Sequence, residues 1–410
     1  MNQPKTVLTD HDILMVSTAD WDNPYWTNKQ HVAVELGSRG HRVLYIESQG
    51  LRRPTATRRD LGRIWRRLKR GLGPPRQVRD NIWVVSPIII PFQHYAWVRR
   101  LNRWLLSLIV GLWSRRLGLR PTILWTYSPL TPSLYRLLGW DLVVYHAVDD
   151  IKAQPGMQAE VIEASEQILS RAADIIFTTA PHLHDVHKAE NPHTYYFPNV
   201  AEFAHFNRAL DPATVMPEDI ISIPAPRIGF IGAVSGYKMN FALLRAVADS
   251  RPQWSFVLIG EVGEGDPWTD ISAFAGAANI HLLGGRSYAE LPNYLKAMDV
   301  AILPSNINDY TRSMFPMKFF EYLAAGRPVV ATSLPALADY HHAASFADTP
   351  AEFIAAIEEN LAGEGPSLDQ RLAAAREQTY EIRTEKMMKL VEARLGSRRL
   401  GQQVDILIAQ

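Results

Sequence analysis

Apolar residues follow two rhythms along this chain. Short runs rich in Val, Ile and Leu alternate with longer stretches in which apolar residues recur every three or four positions. Residues 12–17, 42–46, 82–85, 122–125, 142–145 and 174–177 belong to the first kind. They are too short and too β-branched for buried helices, so they read as strands covered on both faces. Between the first two, Thr27 stands three residues before Gln30, the spacing of a capping box, and a helix is expected to start there. Gly40 supplies the left-handed residue that closes it. A further helix, 159–173, separates the strands at 142–145 and 174–177.

The same grammar resumes at 227–232. It continues as helix 241–249, strands 254–260 and 280–283, helix 288–298, strand 300–303, helix 317–325 and strand 329–331, with helix again after about residue 366. Such alternation makes parallel sheets with helices on both faces. Between the halves, residues 211–226 carry four prolines and no helical period, as a linker does. The expected architecture is α/β: two doubly wound, Rossmann-like domains facing a cleft. Residues 1–205 form the first, 206–226 the linker, 227–380 the second, and 381–410 a helical tail packing back across the domains. Ligands in these sheets sit at the carboxyl ends of the strands.

Composition narrows the chemistry. The 410 residues are 47% hydrophobic, enough for two cores, and contain no cysteine. Disulfides, thiolate metal sites and cysteine nucleophiles are therefore excluded. Formal charge is only +1, yet residues 52–79 hold eleven Lys or Arg against the single acid Asp60. Such a block meets an anionic surface or stays solvated. The longest apolar run, 104–113, is about half of the roughly 20 residues a spanning helix needs. No secretory leader pattern opens the chain. A cytoplasmic protein, peripheral on the inner face of the membrane, is expected. Arg66, Arg67, Trp104 and Trp113 would face anionic lipid, with Arg99, Arg100, Arg103, Arg115 and Arg116 flanking the apolar run. The alternative is a core helix beside a solvated arginine loop. No nucleic-acid-binding module accompanies the charge, so nucleic acid is not expected as a partner.

Lys318 poses a specific question. Pro316 suits the start of a helix, which puts Lys318 in the first turn, where the helix dipole disfavours a cation by about 0.3–1 kcal/mol. A bound phosphate reverses that sign. Glu321, one turn on, shares the face and can accept hydrogen bonds from a vicinal diol such as ribose. One cation for diphosphate and one carboxylate for ribose describe a nucleoside-diphosphate site. The competing explanation is a surface i,i+3 ion pair worth about 0.2–0.5 kcal/mol. Residues 232–238 (GAVSGYK) directly follow a strand and precede a helix, so Gly232, Ser235 and Lys238 can approach the same phosphates. An ordinary glycine-rich turn with a solvated lysine would look alike. The G-x-G-x-x-G dinucleotide fingerprint is absent.

On the first half, Asp149 and Asp150 follow a strand and can act as general base, or cap a helix. His146 can hydrogen-bond a bound ligand, or be a packed core histidine. Asp20, Asp22 and Trp26 are weaker candidates. His182, His184 and His187 are expected in a solvated loop, with no metal site.

Residues 232–238, the run VLIG at 257–260 and above all PMKFFEYLAAGRPVVAT at 316–332 resemble the donor domain of GT-B glycosyltransferases. The match is to family 4-like bacterial enzymes of teichuronic acid and exopolysaccharide biosynthesis. The K-x-x-E-Y pattern is also similar to that of membrane-associated glucuronosyltransferases of xanthan-type synthesis. A looser likeness covers YHAVDD at 145–150 and the FPNV corner at 197–200. The resemblance implies that Lys318 and Glu321 hold donor phosphate and ribose, that Lys238 lies near the pyrophosphate, and that no divalent metal is used. Ser313 stands where many family 4 enzymes carry a Glu that touches the donor sugar, and Val200 where the corner often has Gly. The reading is a metal-independent transferase without a cofactor. It moves a sugar from a nucleotide-sugar, a UDP-sugar, to a lipid-linked or cell-envelope saccharide. Gly232, Ser235, Lys238, Ser313, Met317, Lys318 and Glu321 bind the donor, and Asp149, Asp150 and His146 are the catalytic candidates. A nucleotide-sugar epimerase of the same fold and a non-catalytic, membrane-docked binding subunit are the alternatives.

Overall fold

A computed structural model describes residues 11–23, 25–48, 71, 73–87, 89–90, 95–266 and 268–408. Arg66 and Arg67 lie outside the described residues. The chain divides into two compact units. One comprises Met1–Thr178, Leu183–Phe197 and Thr384–Gln410; the other comprises Thr179–His182 and Pro198–Arg383.

The first unit is built on β1 (Asp12–Val16), β2 (Arg42–Ile46), β3 (Arg76–Arg79), β4 (Ile82–Val85), β5 (Ile123–Thr126), β6 (Leu142–Ala147), β7 (Ile175–Thr178) and β8 (Thr194–Tyr196). Their order in the sheet is β3-β4-β2-β1-β5-β6-β7-β8. Only β3–β4 pairs antiparallel among these. Successive residues of a strand point to opposite faces. Ile13 and Met15 accordingly pack with Val32, Leu36, Met388 and Val391 on one side, and Leu14 and Val16 with Leu106 and Leu169 on the other. Both faces are covered, which is why these strands are continuously apolar rather than alternating. The helix Asn28–Ser38 begins at the expected capping box, with Thr27 and Gln30 each bonding the other's backbone. Gly40 takes φ +95° at its end.

The second unit is built on β9 (Arg227–Ile231), β10 (Ser255–Ile259), β11 (Ile280–Gly284), β12 (Val300–Leu303), β13 (Val329–Ala331) and β14 (Ser345–Phe346). Its sheet order is β11-β10-β9-β12-β13-β14, all parallel. β9 and β10 run side by side into two glycine-containing loops. A Cβ on Gly260 would lie 1.8 Å from the Gly232 carbonyl oxygen, so only glycine permits that approach.

Two expectations need revision, the linker and the edge strand. Residues 206–226 are not a free linker: Phe206, Ala209, Ile220 and Ile223 are buried in the second unit's core. That unit starts at Pro198 instead. Proline content concealed anchors spaced too irregularly for a helical or strand period. The tail, helix Tyr380–Ile408, joins the first unit from Thr384, where Met387, Met388, Val391 and Leu395 are buried. β3, read only as part of the basic block, is a largely exposed edge strand, and its arginines suit that edge.

The histidine segment also differs from expectation. It is a helix, Pro181–Glu190, and His187 is 3% exposed with Nδ1 3.0 Å from Ser170 Oγ. Burial lowers its pKa from 6.5 to about 4. Between these two values the unfolded chain takes up a proton that the folded chain refuses, so stability is complete above pH 6.5 and falls as pH drops toward 4. Unfolding followed from pH 7 to pH 4 is expected to show this group costing roughly 2–3 kcal/mol across that window. A His187→Asn variant should show a shallower decline over the same range.

Candidate functional site

The short helix Lys318–Ala324 is fixed from below by its apolar side chains. Phe319, Phe320, Tyr322 and Leu323 are fully buried. The Tyr322 hydroxyl accepts the Ile231 N–H at 2.7 Å and lies 3.0 Å from the Ile231 carbonyl, to which it donates. The helix is thereby tied to the end of β9, one residue before Gly232. Asn199 at the start of the unit donates to the Phe315 carbonyl at 2.6 Å, holding the approach to the helix. Phe319 N–H reaches the Pro316 carbonyl at 3.1 Å, so the turn forms at the expected proline and Lys318 lies in the first turn.

Lys318 Nζ is 2.8 Å from Glu321 Oε2. The ion pair therefore exists, but not as a surface pair: Glu321 is only 2% exposed. Taking a carboxylate out of water is costly unless it is paired, and here Lys318 holds it.

Three loops at the carboxyl ends of β9, β10 and β12 are laced together beside this helix. Val234 N–H bonds the Glu261 carbonyl at 3.1 Å, and Gly263 N–H bonds the Val234 carbonyl at 2.9 Å. Gly236 N–H reaches Thr269 Oγ1 at 3.2 Å, and Thr269 donates to Asp266 at 2.9 Å. From the third loop, Asn306 Nδ2 donates to the Gly236 carbonyl and Asn308 Nδ2 to the Tyr237 carbonyl, both at 2.8 Å. Lys238 is presented by this lattice. Its ammonium lies 5.2 Å from the Tyr237 ring centroid and 5.5 Å from that of Tyr310, within cation–π range.

Glu264 is exposed on the loop after β10; partial desolvation holds its carboxyl above the usual range, and the charges of Lys238 and Lys318 act to lower it. On the other side of Glu321, Tyr288 donates to Glu202 Oε2 at 3.2 Å and stacks on His205 at 4.4 Å. Burial raises the Tyr288 hydroxyl far above its ordinary pKa, and the nearby Glu321 and Glu202 charges add to that. The second unit thus brings two cations, a buried carboxylate and a flat aromatic–imidazole pair to one end of its sheet.

The remaining donor candidates are less direct. Gly232 sits at the β9 end with its N–H on the Ile259 carbonyl at 2.8 Å. Ser235 and Ser313 are fully buried. The Ser235 hydroxyl has no hydrogen-bond partner among the described residues. The Ser313 hydroxyl donates to the Asp309 carbonyl at 3.2 Å. Both side chains are buried in the structure, and neither is shown in contact with Lys318 or Glu321. Met317 is half-buried where the helix starts.

In the first unit the structure separates the two aspartates. Asp149 Oδ2 lies 3.8 Å from Lys29 Nζ, a lysine 7% exposed in the first turn of helix Asn28–Ser38. Asp150 faces the opposite set, acting electrostatically on Tyr145, Lys152 and Glu166. It flanks the 3-10 turn Ile151–Ala153 without a side-chain cap bond, so capping does not explain it. His146 is fully buried, stacked on Tyr127 at 4.8 Å and edge-on to Trp125 and Phe177. That is the packed alternative, and it corrects the expectation of a sugar contact. Among the described residues no cluster of His, Asp or Glu is placed to hold a metal ion.

Helix Ala96–Arg116 buries Val98, Asn102 and Leu106, and Asn102 clamps both backbone groups of Ile90. Arg103 is consumed by the Pro132 and Ser133 carbonyls. Trp113 packs on the core with Arg116 over its ring at 5.3 Å, so it is not free to face outward. Trp97, Trp104, Leu108 and Leu112 form the opposite, exposed stripe, with Trp104 at 58%. Among the described residues no helix is long and apolar enough to cross a membrane.

With this geometry in view, the comparisons bear on the second unit. Residues 225–363 match the family of glycosyl transferases group 1. This segment is a group 1 glycosyltransferase domain. It contains Lys238, Glu264, Lys318 and Glu321. The glycosyltransferase is 28% identical over 293 residues to the Bacillus subtilis (strain 168) glycosyltransferase TuaH, named for teichuronic acid biosynthesis; the match covers 65% of this chain and 70% of that protein. Its fold is similar to that of sucrose-phosphate synthase from Thermosynechococcus elongatus, with TM-score 0.66 and 14% identity over 94% of this chain and all of that one. It is similar also to Anabaena HepE, solved in complex with UDP-glucose, with TM-score 0.64 and 12% identity over 93% and 99% of the two chains. The fold is therefore GT-B, two α/β units with parallel sheets, as expected.

Sequence reasoning missed Lys29 and Glu264 in this glycosyltransferase. Lys29 carried the same signal as Lys318, a cation in the first turn after a capping box. Glu264 sits between Gly263 and Gly265, both in left-handed conformations, and that Gly-Glu-Gly pattern right after a buried strand was the available cue.

Proposed function

We propose that this glycosyltransferase moves a sugar from a UDP-sugar to a lipid-linked or cell-envelope saccharide, and that the second unit binds the donor. The observation that carries this reading is the 2.8 Å Lys318–Glu321 pair with its carboxylate buried, in the helix tied to the end of β9, the strand whose following loop presents Lys238. Two ammonium groups can neutralise the charge that develops on the leaving diphosphate, so no further electrophile is needed to stabilise it. The Glu321 carboxylate, held out of water, is suited to accept hydrogen bonds from a ribose diol. HepE, which shares the fold, was solved with UDP-glucose, and this supports uridine as the nucleoside. The relation to TuaH supports an envelope polysaccharide as the acceptor.

We assign the acceptor to the first unit. Asp149, at the carboxyl end of β6, is the group that takes the proton of the attacking hydroxyl. Asp150, engaged with Lys152, Glu166 and Tyr145, supports the same strand end rather than the reaction. The exposed stripe Trp97, Trp104, Leu108 and Leu112, next in sequence to the basic block 52–79, docks on an anionic membrane surface and places the enzyme near a lipid-linked acceptor.

Calorimetric titration with UDP tests the donor site. Lys318→Met and Lys238→Met are each expected to weaken UDP binding about tenfold or more, as the loss of a charge-assisted contact implies. Wild-type affinity in both variants would refute the assignment. Release of UDP from a UDP-sugar only when a polyprenyl-diphosphate-linked saccharide is added would separate a transferase from an epimerase or a binding subunit. Flotation with vesicles containing phosphatidylglycerol tests the docking. The wild type should float, a Trp104→Ser/Leu108→Ser variant should float several-fold less, and equal flotation of the two would exclude the stripe.

A further inference from the structure

The second unit also holds a small cavity of about 170 Å³, with Pro328, Asn360, Gly365, Ser367, Leu368 and Arg371 in its walls. It is separate from the site built on Lys318 and Glu321. Pro328 leads into the amino end of β13, whereas the loop of Lys238 follows the carboxyl end of β9 in the same parallel sheet. Leu368 abuts Gly326, which takes φ +70° just past the helix Lys318–Ala324; a Cβ there would lie 2.9 Å from the leucine Cδ1. The cavity therefore meets that helix at the end opposite Lys318.

Two polar atoms in the cavity wall are buried without a partner. Asn360 is 7% exposed. Its Nδ2 donates to the Ala356 carbonyl at 2.7 Å and lies 2.9 Å from Ser345 Oγ. A carbonyl oxygen only accepts, so this contact fixes which way round the amide sits. Oδ1 is thereby turned toward Gly365, where a Cβ would come within 2.2 Å of it. It has no hydrogen-bond partner among the described residues. Arg371 Nη1 donates to the Pro366 carbonyl, but its Nε is buried and equally unmatched. No carboxylate ion-pairs with Arg371 among the described residues. Arg371 stands near the start of helix Leu368–Arg376, capped by Ser367, where the helix dipole adds to its positive field. A buried acceptor and a buried charged donor, both unmet, weaken a fold unless something fills them. One ligand can meet both if it carries negative charge and an O–H.

We propose that this cavity binds phosphate or a small phosphate ester, an anionic oxygen accepting from Arg371 and a hydroxyl donating to Asn360 Oδ1. Inorganic phosphate keeps an O–H near neutral pH, and a small ester brings one on its alcohol. The volume is below the roughly 300–1,000 Å³ of pockets for drug-sized ligands, which suits a ligand of this size and excludes a nucleotide.

Calorimetric titration of the full chain near pH 7 and low salt tests this, with inorganic phosphate and glycerol 3-phosphate as probes and sulfate as control. Whichever probe binds more tightly tells free phosphate from an ester as the source. Sulfate has the charge but no O–H, and is expected to bind about fivefold or more weakly than that probe. Arg371→Gln should weaken binding about tenfold or more, Arg371→Lys should weaken it less, and Lys318→Met should leave it unchanged. Hydrogen exchange on the wild type needs no variant to fold: with the tighter probe it should slow at residues 363–371 and not at 232–238 or 318–321. Absence of binding by both probes, sulfate binding as well as either, or slowing confined to the Lys238 and Lys318 segments overturns the proposal. So does binding that Lys318→Met abolishes and Arg371→Gln retains.

Discussion

The arrangement of the second unit depends on one buried contact, the 2.8 Å pair between Lys318 and Glu321. A carboxylate that is 2% exposed needs a partner, and the partner chosen is a lysine in the first turn of its own helix. The helix dipole there favours Glu321, also in the first turn, and disfavours Lys318. The pair is therefore poised rather than settled: a ligand that brings phosphate to Lys318 and hydroxyls to Glu321 satisfies both groups at once. Around it, Tyr322 locks the helix to the end of β9, and the loop that leaves β9 is cross-bonded to two others and presents Lys238. Preorganised charge of this kind needs no rearrangement when negative charge develops in the reaction.

The first unit repeats part of this logic. Lys29 also lies in the first turn of a helix, nearly buried, and its partner is the strand-end carboxylate Asp149. Each unit therefore places a lysine–carboxylate pair at the carboxyl end of its parallel sheet, where doubly wound folds gather ligands. The two pairs differ in reach. Lys318 and Glu321 are in hydrogen-bond contact, whereas Lys29 and Asp149 are 3.8 Å apart and leave the carboxylate 29% exposed. The more open carboxylate is the one assigned a proton-transfer role.

Much of this was legible from the residues. The strands could be located because burial on both faces of a parallel sheet forces continuous Val, Ile and Leu. Lys318 stood out because its charge opposes the local dipole. Other features were hidden for physical reasons. The apolar anchors Phe206, Ala209, Ile220 and Ile223 have no regular period, so four prolines made their segment look like a free linker. His187 lies on a helix whose polar residues mask its one buried face.

The most direct measurement is a crystal structure of the chain with UDP bound. The account predicts the diphosphate beside the ammonium groups of Lys238 and Lys318, with ribose hydroxyls on Glu321. UDP found elsewhere on the protein, with the Lys318–Glu321 pair unchanged and untouched by the ligand, would contradict it.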